Sequence, residues 1–179
     1  MGRLFVVTGL AAAEPTMVGQ SLAQALQKSI CIDGRNIDAM VTAGRMPVGS
    51  PPTVGGLEQL YARYAGALTL AEVYRVNGFD AVVSETAIGE YLADLLDLAD
   101  TGPLHLVVLH PSRDAVLEHR SSQALSAYGG NESVENQWNE LEFNTRRSGL
   151  WIDTSTMTPA QIVVHILRNL RDATVAPVS

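Results

Sequence analysis

The side chains best suited to proton transfer are carboxylates and an imidazole that follow short apolar runs. Asp33 and Glu85 each come directly after such a run, and His110 closes a third one. Crowded carboxylates raise the pKa of one member of the group, and histidine titrates near neutral pH. We therefore predict that Asp33, Glu85 and His110 are catalytic. Helix capping is the alternative for the two carboxylates, and ordinary packing is the alternative for the histidine.

Cationic and aromatic residues supply candidate contacts to a small substrate. Arg35 and Arg45 flank the region that would accept it, where a guanidinium could hold a carboxylate or phosphate through two hydrogen bonds. Surface salt bridges are the alternative for each of these arginines. The predicted substrate-binding residues are Glu14, Thr16, Arg35, Arg45, Arg120, Tyr128 and Trp138.

The turn after the first apolar run matches only part of a phosphate-binding loop. On the pattern GxxxxGK[ST], Gly9 and Thr16 stand at the first glycine and the final hydroxyl, but Glu14 replaces the second glycine and Pro15 replaces the lysine. Glu14 adds a side chain and a negative charge where the backbone should approach a phosphate, and Pro15 has no N–H to donate.

The lysine of that pattern would neutralise charge on a transferred phosphoryl group. Lys28 is the only lysine in the chain, about twelve residues further on. We therefore predict that no cofactor binds here. Two alternatives remain open: ATP and magnesium bound with an arginine in place of the lysine, or a turn that only caps a helix, with Thr16 as the N-cap.

The composition limits the class of protein. The chain has 179 residues, of which 46% are apolar and 17% charged, so it can form one globular domain. The net charge of −7 argues against nucleic-acid binding, and no apolar stretch is long enough to span a membrane. Cys31 is the sole cysteine, and no residue spacing predicts a metal site. The first residues lack a signal-peptide pattern, which predicts a cytoplasmic protein.

Short apolar runs alternate with helical periodicity along the whole chain, which predicts a doubly wound α/β domain over residues 1–172 with a tail at 173–179. The predicted helices are Thr16–Lys28, Val54–Asn77, Ile88–Leu98 and Thr158–Leu170. The predicted strands are Arg3–Thr8, Ser29–Ile32, Phe79–Ser84, Leu104–His110 and Leu150–Ile152.

Four segments resemble the chloramphenicol phosphotransferase-like branch of the P-loop small-molecule kinases. They are Gly78-Phe79-Asp80-Ala81-Val82-Val83, Gly89-Glu90-Tyr91-Leu92, Leu104–Ser112, and Gly149–Ser155 followed by Met157-Thr158-Pro159.

This resemblance implies a five-stranded parallel sheet in the order 2-3-1-4-5 and a lid after the fourth strand, at about residues 121–133. It also implies that Asp33 is the base that acts on an acceptor hydroxyl and that Glu85 assists magnesium. Lid residues of the family grip phosphates; Arg120 is retained here, but the basic residue expected before Tyr128 is missing.

The acceptor side of this family pattern is retained better than the nucleotide side. We therefore predict an enzyme with a kinase fold that carries out acid–base chemistry on a metabolite or natural-product intermediate without ATP. The alternatives are an ATP-dependent phosphotransferase acting on a hydroxyl of an antibiotic-like molecule, and a non-catalytic ligand-binding or regulatory protein. The expected partners are a small-molecule substrate and a second copy of the chain.

Overall fold

A central sheet with helices on both faces organises the chain. The computed structural model describes residues 1–99, 102–118 and 133–176. Each of the longer strands is an apolar run without polar alternation, as expected for strands covered on both faces. The strands are β1 Leu4–Gly9, β2 Ser29–Asp33, β3 Asp80–Ser84, β4 Leu104–Leu109, β5 Leu150–Ile152 and β6 Thr174–Val175.

The sheet has the strand order β2-β3-β1-β4-β5, and these five strands are parallel. This confirms the predicted fold class and strand order. The register pairs Asp33 with Ser84 and Gly9 with Leu109, so the residues that follow β1, β2, β3 and β4 meet at one edge of the sheet. Ligands of open α/β folds bind at this carboxyl edge.

The sixth strand is a difference from the sequence prediction. Thr174–Val175 lies within the segment predicted as a tail, and it pairs antiparallel with the start of β4 at Leu104 and His105. A strand of two residues is too short to show any periodicity in the sequence.

The helices follow local capping signals. Thr53 caps the helix that follows it by accepting a hydrogen bond from the Gly56 N–H, and Thr158 forms a capping box with Gln161 at the start of another helix. The helices are α1 Pro15–Ala25, α2 Gly34–Ala39, α3 Val54–Val76, α4 Gly89–Leu98, α5 Arg113–Glu118, α6 Val134–Asn139, α7 Pro159–Arg168 and α8 Leu170–Ala173; α6 continues into a π-helical turn at Glu140–Asn144.

Two apolar clusters enclose the sheet. Tyr64, Leu95 and Leu141 belong to the cluster on the face of α3 and α4, and Leu22 and Ile166 belong to the one on the face of α1 and α7. The sheet is thus fixed between two packed layers, which holds its carboxyl edge rigid. Across residues 1–99, 102–118 and 133–176, no helix combines the length and apolar character needed to cross a membrane.

Candidate functional site

A buried ion pair lies at the carboxyl end of β3. Glu85 follows the strand directly, and its side chain is 2% exposed. The Arg63 guanidinium extends from α3, and its Nη2 donates to Glu85 Oε2 at 3.0 Å. Burial raises the pKa of Glu85 to about 7, although the Arg63 charge and the Thr86 N–H oppose the rise; the nearby Asp33 adds to it. The carboxyl can therefore donate or accept a proton near neutral pH.

Asp33 ends the neighbouring strand β2 and begins α2. Its Oδ1 accepts a hydrogen bond from the Arg35 backbone N–H at 3.0 Å, so the capping alternative for Asp33 is confirmed. The Arg35 guanidinium lies 3.5 Å from Asp33 Oδ2 and remains largely exposed. Glu85, in contrast, caps no helix, because α4 begins after Ile88. The structure therefore brings together Asp33, Glu85 and the predicted binding residue Arg35.

Gly34 permits the close approach of these two strand ends. A Cβ atom at this position would lie 1.7 Å from Glu85 Oε1, so only glycine leaves room for the carboxylate beside the first turn of α2. Neither Gly34 nor Arg63 is among the residues predicted from the sequence. Arg63 could have been found as a charge beside the apolar stripe of α3 formed by Leu60, Tyr64 and Ala67.

The turn after β1 closes on itself. Ala11–Ala13 form a 3₁₀ turn in which the Ala13 N–H donates to Leu10 O at 2.8 Å and the Glu14 N–H donates to Ala11 O at 3.0 Å. Glu14 then adopts a left-handed conformation at φ +51°, and Pro15 opens α1. Glu14, and not Thr16, is therefore the N-cap residue; the N-cap alternative for Thr16 is wrong, and its side chain is buried in the first turn.

A small cavity lies beside this turn. Glu14 lines it together with Pro111 after β4 and Thr154 and Ser155 after β5, and its volume is about 130 Å³. Pockets that take ligands of drug size usually measure roughly 300–1,000 Å³. This cavity therefore fits only a small group.

His110 lies on the other side of β1 from Glu85. It follows β4, which is two strands from β3, or about 10 Å at ordinary strand spacing. Its Nε2 lies 2.6 Å from Glu142 Oε2. Trp138 lies next to it and donates its indole N–H to Pro111 O at 3.1 Å. Glu142 is not among the residues predicted from the sequence, since its position in a π-helical turn follows no common periodicity.

The remaining predicted binding residues are Arg45, Arg120 and Tyr128. Arg45 pairs with Asp38 on the surface, as its alternative proposed, and it makes no contact with Asp33 or Glu85 among the described residues. The loop that carries Arg45 is fixed by Gln59, whose amide donates to Gly44 O at 2.6 Å and accepts from the Met46 N–H at 2.9 Å. Arg120, Tyr128 and the predicted lid up to residue 132 lie outside the described residues.

Three features of the described residues at this edge bear on the binding of magnesium and a nucleotide. Glu85, which the resemblance assigned to magnesium, is buried and already paired with Arg63. Within residues 1–99, 102–118 and 133–176, no group of three histidine, cysteine, aspartate or glutamate side chains is placed to hold a metal ion. In the turn at residues 10–15, the N–H groups of Ala13 and Glu14 donate to backbone carbonyls of the same turn, and Pro15 has no N–H group.

No protein-family model matches the sequence, and no curated protein matches it. Solved structures do match. An unliganded sugar kinase from a Janibacter species has a TM-score of 0.66 at 15% identity, over 97% of this chain and 96% of that one. The tunicamycin resistance protein of Deinococcus radiodurans has a TM-score of 0.64 at 15% identity, over 99% and 100% of the two chains.

The shikimate kinase of Aquifex aeolicus has a TM-score of 0.62 at 13% identity, over 94% of this chain and 96% of that one. At such low identities these matches define the fold alone. Together with the strand order, they show that the chain has a P-loop kinase-like α/β fold.

Proposed function

We propose that the protein is a small-molecule enzyme that uses a kinase-like fold for proton transfer and needs no nucleoside triphosphate. The observation that carries this proposal is the contrast between the two sides of the carboxyl edge. One side holds a buried carboxyl with a pKa of about 7 beside Asp33, and the other holds a closed turn that ends at the Glu14 carboxylate.

The closed turn supports the proposed loss of triphosphate binding. A phosphate-binding loop needs backbone N–H groups directed at the ligand. Here the Ala13 and Glu14 N–H groups donate within the turn, and Pro15 has none. The Glu14 carboxylate beside the cavity would repel phosphate oxygens. Lys28 cannot supply the missing charge, because its ammonium donates to Asn77 O at the opposite edge of the sheet.

The carboxylates at β2 and β3 support the proposed chemistry. A catalytic acid or base works best when its pKa lies near the working pH, which holds for Glu85. Arg63 stabilises the charged form, so the carboxyl has a buried cationic partner whenever it is ionised. Exposed Arg35 beside Asp33 provides a cation that can hold an anionic substrate group.

The resemblance to the chloramphenicol phosphotransferase-like kinases indicates a class of substrate for this proposal. It suggests a metabolite or natural-product intermediate as the substrate. The Deinococcus relative is named for resistance to tunicamycin, which agrees with such a setting. A cytoplasmic location and a homodimer remain predictions.

Solvent-isotope labelling tests the proposed function without knowledge of the substrate. The protein is incubated in D₂O with a metabolite extract freed of nucleotides, and mass spectrometry then follows every compound. We expect one compound to be converted or to gain deuterium with the wild-type protein, and to remain unchanged with Asp33→Asn and Glu85→Gln. Glu135→Gln is the matched control, since it removes a carboxylate that only pairs with Arg113 on the surface.

The same experiment separates the two alternatives. Turnover that appears only when ATP and magnesium are added would support a phosphotransferase and overturn the proposal. Retention of a compound without any change to it, by the wild-type and variant proteins alike, would support a non-catalytic binding protein.

A further inference from the structure

A second charged cluster lies at the ends of β4 and β5. Glu142 Oε2 lies 2.6 Å from His110 Nε2 and accepts from Arg147 Nη2 at 2.7 Å. The Arg147 guanidinium in turn lies over the Trp151 ring, 3.9 Å from its centre. His110, Glu142, Arg147 and Trp151 thus form a connected series, which we call the β4 cluster.

The contacts of the β4 cluster determine the tautomer of its histidine. Glu142 also pairs with Arg147 through Oε2, and a carboxylate only accepts hydrogen bonds. The proton of the neutral imidazole must therefore be on Nε2, which leaves Nδ1 with a free lone pair. Among the described residues, Nδ1 of His110 has no hydrogen-bond partner.

The surroundings of His110 restrict the ring. The indole of Trp151 lies 5.4 Å from it and that of Trp138 lies 6.3 Å away, measured between ring centres. The charged groups that face it are Glu142, Arg147 behind Glu142, and the carboxylate of Asp153. The pKa of Asp153 is lowered mainly by hydrogen bonds from Ser155, with a smaller contribution from His110.

We infer that Glu142 is a positioning residue that fixes the His110 ring with Nδ1 as the proton acceptor of the candidate site. This inference rests on the proposed function and adds a second proton-transfer group, on the opposite side of β1 from Glu85. The step breaks an X–H bond of the substrate, whose electron pair stays on X, and the Nδ1 lone pair forms the new N–H bond. The positive charge of the imidazolium is then balanced by the Glu142 carboxylate, and the reverse step returns the proton, so no other reactant is needed.

Nitrogen NMR of the histidine rings tests the tautomer directly. In protein labelled with ¹⁵N on histidine, at a pH where the rings are neutral, we expect the His110 signals of an Nε2-protonated ring. Glu142→Gln should shift His110 to a mixture of the two tautomers, because a side-chain amide can either accept from Nε2 or donate to it. The matched control is again Glu135→Gln, which should leave the His110 signals unchanged.

Diethyl pyrocarbonate then tests whether the lone pair is accessible. This reagent acylates neutral imidazole nitrogens, and peptide mapping locates the product. We expect rapid labelling of His110 in the wild-type protein and labelling about twofold slower in Glu142→Gln, because about half of the rings in an equal tautomer mixture carry their proton on Nδ1. His105 is the internal reference, because its Nδ1 lies 3.2 Å from Leu170 O.

An Nδ1-protonated ring in the wild-type protein, or a His110 that resists acylation, would overturn the inference. An unchanged tautomer in Glu142→Gln would do the same. If Glu142→Gln does not fold, the wild-type spectrum and wild-type labelling still decide the question. Neither measurement depends on turnover. Failure of this inference is therefore distinguishable from failure of the proposed function, which is tested by solvent-isotope labelling.

Discussion

Arg63 and Glu85 form an ion pair in which both charges are largely removed from solvent. The side chain of Arg63 is 11% exposed and that of Glu85 is 2% exposed, and Nη2 and Oε2 lie 3.0 Å apart. Such a pair strongly affects stability when one partner is removed, because the other charge is left buried. It also determines how the protonation of Glu85 depends on pH.

The first prediction concerns the pH dependence of stability. Glu85 has a folded-state pKa of about 7 against an ordinary value of 4.5, so the folded protein binds this proton more tightly than the unfolded chain does. Its contribution to the free energy of unfolding is fully present below pH 4.5 and is lost as the pH rises toward 7, by on the order of 1 kcal/mol per pH unit. Urea unfolding of the wild-type protein and of Glu85→Gln from pH 4.5 to 7.5 measures this fall in the free energy of unfolding.

Glu85→Gln has no titrating group at this position and should lack that decline. Glu135→Gln, a surface variant, should follow the wild-type curve. Parallel curves for wild type and Glu85→Gln would contradict the raised pKa.

The second prediction concerns the cation of the pair. Arg63→Met keeps much of the apolar stem but leaves the Glu85 carboxylate without its partner, and it should lower the free energy of unfolding by about 3 kcal/mol at pH 7.5. The loss should be smaller at pH 5, where Glu85 carries its proton. Equal losses at both pH values would show that the guanidinium acts by packing alone.

The third prediction concerns Gly34. Gly34→Ala places a methyl group where Glu85 Oε1 lies, so it should displace the carboxylate and cost about 1–3 kcal/mol of unfolding free energy. Gly66→Ala is the control. It lies in α3 with only Ile37 Cγ2 nearby, at 4.0 Å, and should stabilise the protein by about 0.5–1 kcal/mol through helix propensity. The two variants should therefore change the urea midpoint in opposite directions.

The fourth prediction concerns the strain at Glu14. The residue has a φ of +51°, a conformation that costs an L-residue about 1 kcal/mol. Glu14→Gly should therefore raise the free energy of unfolding, whereas Glu14→Ala, which removes the charge but keeps Cβ, should not. An equal gain from both variants would assign the effect to charge rather than to backbone conformation.

The sequence predicted the sheet well, since five apolar runs closed by turn residues indicate buried parallel strands. It also placed Asp33 and Glu85 together, because the carboxyl ends of parallel strands meet at one edge. It did not reveal that Arg63 pairs with Glu85, because a contact between a helix and a strand end 22 residues away depends on how α3 packs. Glu142 was missed because it lies in a π-helical turn and 32 residues separate it from His110.

The turn at residues 10–16 shows both the strength and the limit of sequence reasoning. Glu14 and Pro15 identified a departure from a phosphate-binding pattern. The 3₁₀ turn that engages the Ala13 and Glu14 N–H groups is a property of the folded backbone, and no residue type in the sequence predicts it.

Calorimetric titration with ATP and magnesium tests the central claim most directly. For the wild-type protein we expect no heat of binding at nucleotide concentrations up to the millimolar range. The double variant Glu14→Gly/Pro15→Lys, which restores both missing residues of the loop, should gain measurable binding and so prove that the assay can detect it. Micromolar binding of ATP by the wild-type protein would contradict the account.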